Sequence, residues 1–327
     1  MTLPWFGEYS IIGSSVGVAM LIRGISYYCS VSNSLYVLSM GGFGMSENVL
    51  PASVYHYTSL SSVVQILQGR KLWASDARYL NDAQEVQFGI SLAKEVLGAR
   101  SFHGREEWLN ILDKNNGTLD AVFSIDVEPY VVSFTSNGDN LEMWRGYGGE
   151  GCAIEFDVSV LRELCSSSKE GRASEWRLTK EEYDCLVGNN SFLSSDFRRV
   201  VYGEKAGKEL FDGMFENIGE SPEFHQLDAL FSLSAFVKHE AFRSEDEIRL
   251  LVRGYSYITS RVMVREARGH LIPYRTLIFP YTAVKSIIVG PGRYMHRTKV
   301  ALQRSLYTAR GEWGGVEVKL SAIPYLT

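Results

Sequence analysis

The chain lacks the residue spacings that mark a structural metal site. Its four cysteines, Cys29, Cys152, Cys165 and Cys185, form no CxxC pair and have no histidine at a zinc-ligand spacing. No metal ligands are assigned, and scattered thiols of this kind suit a reducing cytoplasm. A GxGxxG or P-loop at a strand–helix junction is also missing, which leaves a Rossmann or phosphate-cradle reading without support. Positive charge is not in excess. With a net charge of −5 and a pI of about 5.8, there is no global electrostatic case for nucleic-acid binding, only room for a local basic patch. The apolar stretch SIIGSSVGVAMLI is short for a spanning helix and is interrupted by Arg23. The opening MTLPWFGEYS carries one acid and no base, unlike a secretory leader. No stable membrane insertion is expected, and repeats, low-complexity segments and inter-domain linkers are missing too.

What is present is a globular composition, 45% hydrophobic and 22% charged, over 327 residues, enough for one large core or two smaller ones. Residues 1–44 read as an extension of doubtful structure, with a weak membrane-associating segment as the alternative. Met45 then opens what reads as one domain through residue 327. Its first organised unit is VYHYTSLSSVVQILQGRKLWASDARYLND: a strand ending in His-x-Thr, a helix capped by Ser59 and closed by Gly69, a second strand, and a polar turn. Residues with chemistry stand at the ends of these elements.

Further on, an amphipathic helix is expected over residues 83–97, another around Trp108, and strands at YVVSFTS and GCAIEFD. Asp157 is a candidate cap for the helix after the second of these strands. A helix starting at Ser221-Pro222, a strand over SEDEIRLLV and a β–β–α–β tail complete the reading. Strands and helices interleave without regular βαβ alternation. The fold class is therefore α+β, a mixed, largely antiparallel central sheet with flanking helices.

Two constellations carry candidate chemistry. Strand period places Glu245, Glu247 and Arg249 on one face of SEDEIRLLV and Ile248, Leu250 and Val252 on the core face. Two carboxylates beside a guanidinium allow one of them to act as a base or charge stabiliser; a solvated Glu–Arg pair is the bland alternative. In SFTSNGDNLEMWRGYG, Ser133 and Thr135 alternate on one face, with Trp144 and Tyr147 following at helical spacing. Hydroxyls beside aromatic rings suit a ribose or nicotinamide pocket, and equally a core margin, which is the default for Trp144. His56, alone in the opening unit, is by itself more often a structural histidine than a catalytic one. A metal-dependent nuclease or phosphodiesterase using Asp82, Glu245 and Glu247 is a third option, provided those carboxylates converge within metal-ligand distance.

The ordered blocks YHYTSL, LWAS, YLND, VSFTS, MWRGYG, CAIEFD and ExExRL, across residues 52–290, resemble an uncharacterised bacterial family known only as a domain of unknown function. More distantly, they are similar to the ADP-ribosyltransferase superfamily. That likeness implies an enzyme that consumes NAD and modifies a protein or nucleic-acid acceptor, in a bacterial toxin or phage-defence setting. It implies that His56 and Thr58 hold NAD, that Ser133 and Thr135 line the pocket, and that Tyr79 or Tyr147 stacks on nicotinamide. Glu247 would stabilise the oxocarbenium-like transition state and Glu245 would face the acceptor. The strand reads Ser-Phe-Thr-Ser where the superfamily has Ser-Thr-Ser, and the His56–Glu247 spacing requires an insertion around residues 158–234. The rival class is a non-catalytic nucleotide-sensing or interaction module.

Overall fold

A computed structural model describes residues 49–80, 85–114, 127–165, 180, 194–218, 224–255, 262–267, 269–309 and 312–324, together with strand residues 12–14, 17–22 and 25–29. The chain divides into two units, Met1–Gly44 and Met45–Thr327. In the first, β1 (Ile12–Ser14), β2 (Gly17–Ile22) and β3 (Ile25–Cys29) form an antiparallel three-stranded sheet.

The second unit begins with β4 (Ser53–Thr58), α1 (Leu60–Gly69) and β5 (Lys71–Asp76). Ser59 caps α1, its hydroxyl accepting the Ser62 amide, and Val63, Ile66 and Leu67 form the buried stripe. The helix ends differently from the sequence reading. Arg70, not Gly69, takes the left-handed conformation, with φ 48°. Tertiary contacts override the glycine preference: the Arg70 guanidinium lies over the Tyr281 ring and its carbonyl accepts the Phe279 amide.

Next come α2 (Glu85–Ala99), α3 (Arg105–Lys114) and β6 (Val127–Thr135). A helical turn, Leu141–Met143, runs into a wider π-turn, Trp144–Gly148. It is followed by β7 (Cys152–Asp157) and α4 (Val158–Cys165), capped by Asp157 as expected. Then follow β8 (Ser194–Arg199), β9 (Val201–Tyr202), α5 (Glu204–Met214), α6 (Phe224–Ser234) and β10 (Val237–Lys238). The expected start of α6, Ser221-Pro222, lies outside the described residues. The chain continues through β11 (Glu247–Tyr255), β12 (Met263–Ala267), β13 (His270–Ile278), β14 (Val284–Val289), α7 (Met295–Thr308) and β15 (Glu317–Leu320).

The large sheet has ten strands, antiparallel except for the β14–β15 pair, and the domain is α+β. Its spine is β6. One edge of β6 pairs along its length with β11, which then pairs with β8. The region 158–234 thus supplies a strand of the central sheet, with Phe197 of β8 in the core. The other edge of β6 is shared. Tyr130 and Val131 pair with Asp76 and Ser75 of β5, whereas Thr135 pairs with Tyr55 of β4. Between these pairings the sheet splits into two arms, β5–β13–β12 and β4–β7–β14–β15, bridged by α1.

Strand period fixes which face is dry. Tyr130, Val132 and Phe134 of β6 join Ile248, Leu250 and Val252 of β11 in one core under α1, α4 and α7. The opposite face presents Ser133 and Thr135 beside Arg249 and Glu247.

Candidate functional site

The split in the sheet opens a cleft of about 360 Å³. β4 and α1 line one wall, β5 and the β12–β13 hairpin another, and the floor is β6 and β11. Among the described residues, Val132, Ser133 and Phe134 have no strand partner on the split edge of β6, so their backbone groups need other partners. His56 supplies one. Its Nδ1 donates to the Ser133 carbonyl at 3.0 Å, and its ring meets Phe134 edge-on. That bond fixes the neutral tautomer and leaves Nε2 as an acceptor. Burial, with a contribution from the Arg265 charge, pushes the imidazole below its ordinary value, so it is uncharged at neutral pH.

On the floor, four charged groups interlock. Glu247 takes a forked pair of bonds from Arg249, 2.7 Å from Nε and 2.9 Å from the terminal nitrogen. Lys238 Nζ reaches Glu247 at 3.2 Å and Glu245 at 2.6 Å. Lys238 and Arg249 are 3% and 1% exposed, and Glu247 is 6% exposed. Burial alone would raise the Glu247 carboxyl, but Arg249, Lys238 and a hydrogen bond from Ser133 outweigh it and hold it at about 2. Glu247 is therefore a fixed anion. It can stabilise positive charge but has no proton to give.

The two glutamates are not strand neighbours as expected. Glu245 ends a short 3₁₀ turn, Glu240–Glu245, and β11 starts only at Glu247. Asp246 between them has φ 42°, a left-handed residue that breaks the strand. Its carboxylate is held by the Ser136 hydroxyl and by Arg199 at 2.7 Å. The outcome still brings both acids to Lys238.

Tyr147 reaches the same cluster from the π-turn, its hydroxyl donating to Glu245 at 2.7 Å. Burial and the neighbouring carboxylate raise its phenol well above the ordinary value, so it stays protonated. The turn itself is anchored by Trp144, fully buried, whose indole donates to Asp139 and packs edge-on against Tyr57. Gly148 lies so close beneath this ring that a Cβ there would collide with it. Trp144 is core, as the default reading had it.

The far wall carries Arg265, on β12. Its guanidinium donates to Ser75 Oγ at 3.0 Å and lies 5.9 Å from the Trp73 ring centre, and no carboxylate pairs with it among the described residues. Its Nε is buried with no hydrogen-bond partner. Burial lowers its affinity for the proton, yet arginine remains charged. Among the described residues, the cleft lining thus holds two carboxylates, Glu245 and Glu247, against three cations, Lys238, Arg249 and Arg265.

The structure places His56, Thr58, Tyr79, Ser133, Tyr147, Glu245 and Glu247 on the lining of this one cleft. Thr135 is not on the lining. It is buried at the end of β6, where its hydroxyl accepts the Asn137 amide and closes the turn. Asp82 lies outside the described residues. Lys238 and Arg265 were missed by the sequence reading. Lys238 carries no pattern linking it to the acids. MVREA, around Arg265, shows no apolar–polar alternation, and no element was assigned there.

No helix among the described residues is long and apolar enough to cross a membrane. Residues 143–250 match the model of a family described as a protein of unknown function, DUF2971. The resemblance to an uncharacterised domain family therefore holds over the stretch that carries Tyr147, Lys238, Glu245, Glu247 and Arg249. The match begins after the strands that carry His56 and Ser133. Comparison with curated proteins and with solved structures gives no significant match.

Proposed function

We propose that the cleft binds NAD and that the protein is an ADP-ribosyltransferase-like enzyme, modifying a macromolecular acceptor. The observation that carries this reading is the convergence of three distant residues. His56 bonds to the Ser133 carbonyl, and the Ser133 hydroxyl bonds to Glu247, at the point where the sheet splits. The cleft volume falls in the small-ligand range of roughly 300–1,000 Å³. Arg265, with no carboxylate partner among the described residues and an Nε without a hydrogen bond there, offers a site for the diphosphate. Tyr79 and Tyr147 offer rings for the nicotinamide side.

In the proposed reaction the bond between nicotinamide and its ribose breaks, nicotinamide leaving with the bonding electrons. An acceptor nucleophile bonds to the same ribose carbon and gives up its proton to solvent water. Glu247, ionised at neutral pH because its carboxyl is held at about 2, holds negative charge beside the electron-poor ribose. Ser133 and Arg249 orient that carboxylate. His56 Nε2, an acceptor, suits a ribose hydroxyl. Glu245, at the Tyr147 side, faces the acceptor.

The test is nicotinamide release from NAD by purified protein, with and without lysate as a source of acceptor. Turnover that Glu247→Gln abolishes supports the reading. No NAD consumption and no labelled acceptor would end it.

One observation favours a second reading, a nucleotide-sensing module. Both Glu247 oxygens are engaged by Arg249, and both Glu245 oxygens are taken, by Tyr147 and Lys238. Thermal stabilisation by NAD or ADP-ribose without any turnover would decide for it.

A further inference from the structure

We infer that the outward face of α7 is a docking surface for single-stranded nucleic acid, the acceptor class in the transferase reading on which that assignment rests. In a chain of net charge −5, no acidic residue stands between Glu266 and Glu312, while eight lysines and arginines do. Helix α7 lies in the middle of this run. Leu302 and Leu306 turn to the core. At about 100° per residue, Arg297, Val300, Arg304 and Tyr307 fall on the stripe opposite those leucines, and Arg293 stands in the turn just before the helix.

Every member of that stripe is exposed, Tyr307 to 89%. None of the three arginines is ion-paired to an acid among the described residues. Arg293 and Arg297 instead flank a second exposed ring, Tyr294, at 5.5 and 5.7 Å from its centre. Cations beside exposed rings, at intervals along roughly 20 Å of helix, match what unpaired nucleotides require. Phosphates meet guanidinium groups and bases stack on tyrosine. An anionic membrane is the poorer fit, because Val300 is the only aliphatic side chain on the stripe and nothing there can insert. An acidic peptide would use the cations but not the rings.

The start of α7 also leads back to the cleft. The Gly290 amide donates to the Gly151 carbonyl, and Gly292 packs on Glu150, so Arg293 and Tyr294 adjoin the turn that ends just after Tyr147. A strand lying on α7 would run toward the side of the cleft that holds Tyr147 and Glu245.

The experiment is fluorescence anisotropy with the full chain and labelled single-stranded RNA and DNA of about 20 nucleotides, without NAD. The proposal expects binding that weakens with salt, and at least tenfold loss in Arg297→Gln/Arg304→Gln with a salt slope reduced by about 0.7 per lost phosphate contact. Tyr307→Ala should weaken single strands more than a duplex of equal length. Circular dichroism and unchanged Tm show that these exposed substitutions leave the fold intact. No binding to single strands at low salt, or binding that neither variant alters, overturns the proposal. So does capture by phosphatidylserine vesicles or poly-glutamate in place of RNA and DNA. Because NAD is left out, a failure here leaves nicotinamide release untouched, and failed nicotinamide release leaves this surface standing.

Discussion

His56 Nδ1 donates a 3.0 Å hydrogen bond to the carbonyl oxygen of Ser133, across the gap where β4 and β5 part. The bond uses a side chain to do what a strand does elsewhere along β6. It requires Nδ1–H, and the adjacent Arg265 charge opposes a second proton on Nε2.

The folded-state value of His56 is therefore lowered from 6.5, chiefly by burial. For a histidine buried neutral, the unfolded chain takes up the proton first. Stability is full above about pH 6.5 and falls as the pH drops below it. Melting curves between pH 7.5 and 5.5 should show this decline. His56→Asn, which keeps a donor for the Ser133 carbonyl but does not titrate, should flatten it.

Glu247 works in the opposite sense. Its carboxyl lies at about 2 against an ordinary 4.5, so its contribution is present above pH 4.5 and is lost as pH falls toward 2. The shift corresponds to roughly 3 kcal/mol. Glu247→Ala should cost about 3–5 kcal/mol in urea unfolding, since it strands Arg249 and Lys238 in the interior. Adding Arg249→Met and Lys238→Met should recover much of that loss. Strict additivity of the three substitutions would show that they do not form one cluster.

Arg265→Gln should leave stability nearly unchanged, because it removes a half-buried cation that has no carboxylate partner among the described residues. Calorimetry with ADP-ribose and adenosine separates its role. Affinity for ADP-ribose should fall by roughly tenfold or more, the worth of a charge-assisted hydrogen bond, while adenosine binding stays within twofold. Equal losses for both ligands would place the phosphates elsewhere.

In the proposed NAD reading, Tyr79 and Tyr147 are the two candidates for stacking on nicotinamide. Alanine at the stacking position should weaken NAD more than ADP-ribose, by about 1 kcal/mol or more. The other alanine variant should affect the two ligands alike. Tyr147→Phe isolates the hydroxyl bond to Glu245, and its effect on NAD affinity should be small if the ring is what matters.

Local signals foretold most of the elements. Ser59, Asp157 and the alternation of β6 and β11 placed caps, faces and core correctly, because each depends on neighbours a few residues away. The site was legible only in part. His56, Ser133 and Glu247 stood out as polar residues at the ends or on the wet face of clear strands. Thr135 shared that face, and nothing local showed that its hydroxyl would close a turn. Lys238 and Arg265 depend on strand order. Their positions follow from β10 and β12 arriving beside distant elements, which periodicity does not encode. The left-handed Arg70 and Asp246 were hidden for the same reason: each is held by groups far along the chain.

Asp246 bears on how this protein can diverge. The break it makes means that Glu245 and Glu247, two residues apart in the gene, belong to separately built pieces. The register of β11 fixes one, and a surface turn fixes the other. A lineage can therefore replace the residue at position 245, or rebuild the turn that presents it, without moving the buried anion next door. In the transferase reading we propose, choice of target and retention of chemistry would be free to drift apart.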